Sequence, residues 1–105
     1  MAFGSLNTMR PDPDEHVELV KDEASFIEFL NILAQDKEAE EAQEKAAPSS
    51  PYGPGALGWE NGTISRYLEA ASACGQAHLS NGGIVPGANP WRICAEILLA
   101  GKYYE

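Results

Sequence analysis

The residues with the most reactive side chains are Cys74, His78 and Cys94. Cys74 and His78 are four positions apart, so on a helix they share one face and present the sulfur and nitrogen donors that zinc accepts. The set is short of a structural zinc site, which takes four ligands, and no pair of cysteines is separated by two residues. The plainer reading makes both cysteines small apolar fillers of helix faces, with His78 near a helix end. No metal and no cofactor is therefore expected, and a reducing compartment argues against a Cys74–Cys94 disulfide.

Catalytic groupings are equally thin. His16 and His78 fall in separate segments, no nucleophile elbow is present, and Gly82-Gly83 is not followed by the Lys-Ser/Thr of a phosphate loop. Carboxylate pairs such as Glu40 and Glu41 fall where a solvated helix face would leave their pKa values alone. An enzyme is not expected.

Binding is the better prospect, and charge is its first indicator. Of 105 residues, 16 are Asp or Glu and 7 are Lys or Arg, for a net charge of −9. The excess is confined to residues 12–45, whereas residues 46–105 are almost neutral. Such a chain is repelled by phosphate backbones and anionic lipid, so neither nucleic acid nor membrane is an expected partner. A basic protein is. Glu38, Glu40, Glu41 and Glu44 are the acidic candidates for that contact. Trp59, Glu60, Tyr103 and Tyr104 are candidates of a different kind, offering aromatic area with polar handles. Each also has a structural reading. Trp59 would anchor a loop on the core while Asn61 caps the next helix and Glu60 favours its positive end, and the tyrosines would lock the last turn onto the fold.

The elements that position these residues are helical. Residues 1–14, with Pro11 and Pro13 among acids, read as a flexible arm, and His16–Val20 as a short strand or the lead-in to a helix. Asp22 is a good N-cap, and Ser25 with Glu28 offers a second start spaced as a capping box. Phe26, Phe29, Leu30 and Leu33 recur at helical spacing, widened by Ile27 and Ala34. From Asp36 to Ala47 strong helix formers persist without an apolar face, which predicts a polar extension in water, with Lys37–Glu41 and Glu41–Lys45 paired and Glu40–Glu44 repelling. Residues 48–58, rich in Pro and Gly, form a surface loop. Asn61 or Thr63 caps a second helix carrying Ile64, Tyr67, Leu68, Ala71, Cys74 and Gly75 on its apolar side. A third helix runs from Asn89-Pro90 to a stop at Gly101. Only Arg92 and Glu96 interrupt its apolar surface, so it is expected between the other two.

Trp59-Glu60-Asn61, Tyr67-Leu68-Glu69-Ala70, Asn89-Pro90-Trp91, Ala95-Glu96-Ile97-Leu98 and Gly101-Lys102-Tyr103-Tyr104-Glu105 together resemble a family of small uncharacterised bacterial proteins, a domain of unknown function. Phe26-Ile27-Glu28-Phe29-Leu30 looks like its first helix. The resemblance covers roughly residues 20–36 and 57–105 and leaves out the arm, the acidic extension and the proline-rich loop. It implies a compact helical domain and no established activity. Size, charge and class are also similar to those of acidic immunity proteins that neutralise bacterial toxins.

The sequence thus predicts an all-α fold with three main helices in a single domain over residues 15–105. The expected role is a protein-binding one, immunity-like, neutralising or regulating a basic partner. The rival is a small-ligand-binding or regulatory module built on Trp59, Trp91, Tyr103 and Tyr104. No apolar run of signal-peptide or membrane-span length is seen, so the cytoplasm is the expected location.

Overall fold

The computed structural model describes residues 11–51 and 53–103, and every regular element among them is helical. In chain order these are α1 (Pro13–His16), a 3-10 turn (Val17–Leu19), α2 (Glu23–Ala46), α3 (Ile64–Ser80) and α4 (Pro90–Tyr103). Residues 1–10 of the expected arm lie outside the described residues. The arm does not reach Asp14, because Asp12 caps α1 by accepting from the Asp14 N–H at 2.9 Å, and Pro13 is fully buried. A proline at the first helical turn forfeits no bond, so it can pack there without penalty. His16–Val20, read as strand or lead-in, is the end of that helix and its 3-10 continuation.

Asp22 caps α2 in a reciprocal box. Its carboxylate accepts from the Ser25 N–H at 2.9 Å, and the Ser25 hydroxyl oxygen accepts from the Asp22 N–H at 3.0 Å. The same Ser25 hydroxyl and amide hold the Asp22 carboxyl below its ordinary pKa. The alternative start at Ser25 with Glu28 is not used. Thr63, rather than Asn61, caps α3 through the Arg66 N–H at 3.2 Å. Asn89 caps α4 as expected, accepting from the Trp91 and Arg92 amides, while its Nδ2 donates to the Val20 carbonyl at 2.9 Å. One asparagine therefore starts α4 and ties it to the 3-10 turn.

Gly101 does not end α4; the helix continues to Tyr103. A β-carbon on Gly101 would lie 2.6 Å from Cε1 of Tyr67, whose hydroxyl donates to the Leu98 carbonyl at 2.7 Å. The glycine lets the ring approach the helix backbone, a packing role that imitates a stop signal in sequence.

The third main helix is central, as its composition predicts: α4 packs along α3 and also meets α2 and the 3-10 turn. The core consists of Val17, Val20, Phe29, Leu33, Trp59 and Ala95, flanked by Phe26, Tyr67, Leu98 and Leu99. Fully burying a side chain such as Phe29 contributes about 1.5–3 kcal/mol. The molecule is flat, 46 × 34 × 15 Å, and even α4 leaves Trp91 and Cys94 at the surface. The inward face of α3 is also smaller than expected. Tyr67, Ala70 and Ala71 turn in, whereas Ile64 and Leu68 remain 79% and 56% exposed.

Candidate functional site

The inward stripe of α2 does not stop where its apolar residues stop. Phe29 and Leu33 are followed in helical phase by Asp36, Glu40 and Glu44, and Asp36 and Glu40 are each only 3% exposed. The expected solvated extension is therefore wrong for this face. Its carboxylates hold the Pro/Gly-rich loop against the body of the fold.

Each carboxylate has assigned work. Asp36 Oδ2 accepts from Trp59 Nε1 at 2.8 Å and from Lys102 Nζ at 2.8 Å. Glu40 Oε1 accepts from the backbone amides of Leu57 at 3.0 Å and Trp59 at 3.2 Å. Glu44 accepts from the Ser49 amide and hydroxyl and from the Ala56 amide, at 2.6 to 2.8 Å. The expected Glu40–Glu44 repulsion is offset because both groups receive donors. The Ser49 hydroxyl and amide, with a smaller share from Ala56, hold the Glu44 carboxyl below its ordinary pKa. Gly55 lies directly against the Glu40 carboxylate, where a β-carbon would collide with it.

Trp59-Glu60-Asn61 is pinned to the last turn of α4. The Glu60 amide donates to the Lys102 carbonyl at 2.9 Å, and Asn61 Nδ2 donates to the Gly101 carbonyl at 2.9 Å. These are carbonyls that a helix end leaves without an internal partner. Trp59 is buried, so it anchors the loop and offers little surface to a partner. Lys102 Nζ lies 5.5 Å from the Trp59 ring centre and 5.0 Å from that of Tyr103, within cation–π range. Burial alone would pull the Lys102 ammonium down; the hydrogen bond to Asp36, aided by Tyr103, overcomes this and holds it above its ordinary pKa. Burial also raises the Tyr103 hydroxyl, which donates to Asp14 at 2.6 Å.

Of the acidic candidates, Glu38 and Glu41 are exposed, whereas Glu40 and Glu44 serve the loop. Lys37 pairs with Glu41 at 3.7 Å, as expected, and with Glu40 at 3.6 Å. The side chain of Glu60 faces outward, and Tyr103 is part-exposed against α1. Tyr104 lies outside the described residues.

A cleft of about 320 Å³ opens between α2 and α3. Leu30, Leu33 and Ala34 form one wall and Ile64 and Tyr67 the other. Trp59 and Asn61 lie at its base, with Lys37 and Glu41 beside them. Its volume is at the lower end of the range of about 300–1,000 Å³ typical of ligand sites. Of the described aromatics in the rival reading, Trp59, Trp91 and Tyr103, only Trp59 borders it. Trp91 pairs with Phe26, ring centres 5.5 Å apart, at the opposite end of α4 from Tyr103. Cys74, His78 and Cys94 form no metal-holding group among the described residues, and both cysteines are free.

Sequence reasoning missed Asp36, Lys102 and the cleft. The signal for Asp36 was present, since residues 29, 33, 36, 40 and 44 keep one helical phase; the carboxylates were read as an outward face because their residue type is usually solvated.

Residues 22–105 match the model of DUF7660, a family of unknown function. The matched span runs through the acidic extension and the proline-rich loop, which the sequence resemblance had left out. Comparison with curated proteins and with solved structures found no match. No helix among the described residues is long and apolar enough to cross a membrane.

Proposed function

The chain belongs to the DUF7660 family, whose function is unknown, and from that premise we propose that it is a non-catalytic, cytoplasmic protein-binding module whose acidic surface meets a basic partner, in the manner of an immunity protein. One observation carries the reading: the fold uses only part of the negative charge of α2. Asp36, Glu40 and Glu44 are committed to the loop, while Glu38 and Glu41 lie exposed on the same helix and Glu15, Glu18 and Glu23 are exposed before and at its start. Exposed like charge is of little use to stability but speeds encounter with an oppositely charged surface and selects among partners.

The test is to reverse Glu38 and Glu41 to Lys, leaving the loop-holding acids in place, and to compare partner capture from the native cell at low and moderate salt. Capture should weaken markedly at low salt, and the difference should shrink as salt rises. Capture that is the same for both chains at both salts would reject the proposal.

A further inference from the structure

The cleft has a property that the acidic surface alone does not explain. Its walls include large apolar side chains that the core leaves out: Ile64 at 79% exposure and Leu30, with Leu68 and Ile27 exposed on the same two helices. Ile64 and Leu68 are one turn apart on α3, and Ile27, Leu30 and Ala34 keep the same spacing on α2. Leu30 and Ala34 on one helix and Ile64 on the other line the groove with Trp59, and Ile27 and Leu68 extend these rows by one turn on the exposed surface beside it. Beside it, Lys37 is bracketed by Glu40 and Glu41, so that cluster keeps a net negative charge, and Glu38 adds to it on the same helix. By helical phase Arg66 falls on the opposite side of α3 from Ile64, Tyr67 and Leu68, so it does not offset that charge in the groove.

We propose that this groove seats the apolar edge of a basic amphipathic helix from the partner protein, one large side chain entering the cleft between Leu30 and Ile64 while flanking lysines or arginines face Glu38 and Glu41. Apolar anchors at helical spacing in a groove with charge of opposite sign beside it are the recurring form of helix recognition. The inference rests on the acidic-surface reading and adds to it the partner's secondary structure and the position of its anchor.

The probe is a synthetic helical peptide with leucines at positions i, i+4 and i+7 and lysines elsewhere, titrated into the full chain carrying Trp91→Phe so that Trp59 alone reports. Two controls replace the leucines by serine or the lysines by glutamate. The Leu/Lys peptide should shift Trp59 emission and bind about tenfold or more tightly than the Ser/Lys peptide. Ile64→Asp should erase that difference without lowering the melting temperature, because the side chain is exposed and an acid suits the first turn of α3. Glu38→Lys with Glu41→Lys should weaken both lysine peptides alike. Equal binding of the Leu/Lys and Ser/Lys peptides would overturn the groove proposal and leave the acidic surface standing. Equal binding of the Leu/Glu peptide would overturn the basic partner. Self-association of the chain that Ile64→Asp abolishes would assign the groove to a second copy instead, and absence of binding by every peptide would also overturn the proposal.

Discussion

Phe29 and Leu33 in the first half of α2, and Asp36 and Glu40 in the second, lie on one stripe of one helix and are all withdrawn from solvent. The two halves achieve this by opposite means. The apolar half packs against Val17, Val20 and Ala95, contacts without direction that tolerate small shifts in register. The carboxylate half is directional. Glu40 Oε1 is aimed at two particular amides, and Asp36 Oδ2 at one indole and one ammonium. The difference shows that a proline- and glycine-rich segment with little apolar area of its own can be placed by acceptors supplied from a neighbouring helix, which satisfies the loop amides that the core cannot.

The largest test of this contrast is Asp36→Ala, which strands a buried ammonium and a buried indole N–H. A loss of about 3–5 kcal/mol is expected in urea unfolding, as large as the roughly 3–5 kcal/mol expected for Phe29→Ala. Adding Lys102→Met to Asp36→Ala should recover part of the loss, whereas it cannot help Phe29→Ala; no recovery would mean that the ion pair is not the source. Next is Glu40→Ala, which leaves the Leu57 and Trp59 amides without an acceptor at about 1–3 kcal/mol. Hydrogen exchange should quicken at those two amides before it changes in α3, and Glu40→Gln, which keeps an acceptor oxygen, should be milder.

Acid sharpens the comparison further. Because the folded pKa of Glu44 is lowered, its contribution is full above the ordinary value of 4.5 and is lost as pH falls through the lowered value. Amide protection at Ser49 and Ala56 should therefore decline on acidification below about pH 4.5, and Glu44→Gln should flatten that dependence. The smallest effect belongs to Glu38→Lys and Glu41→Lys, whose side chains serve no loop amide. Their melting curves should stay within about 0.5 kcal/mol of the parent, and a larger loss would place them with Glu40.

What the sequence disclosed was local. The Asp22 and Asn89 caps, the Phe26–Leu33 stripe and the central position of α4 follow from residue type and spacing within a few turns. Gly101 misled because a glycine near a helix end reads as a stop, whereas here it makes room for a ring from another helix. Asp36, Glu40 and Glu44 misled because their partners are donors far along the chain, the Trp59 indole and Lys102 ammonium for Asp36 and loop amides for Glu40 and Glu44, and no helical pattern records where a loop will return. Ile64 and Leu68 fit an apolar stripe by spacing, yet the small residues Ala70 and Ala71 set the face on which α3 meets α4.

The contact between Asp36 and Lys102 joins residues 66 positions apart. A charge pair across so long a segment adds nothing to the early steps of folding, when chain entropy still opposes distant contacts. It is expected to close after α4 docks, and to be broken, with both charges bare in a poor solvent, before the helices can separate. Its influence therefore falls on how slowly the folded chain opens rather than on how fast it forms. The buried ammonium of Lys102 beside Trp59 is thus expected to act as a kinetic lock on the domain, its removal speeding unfolding more than it slows folding.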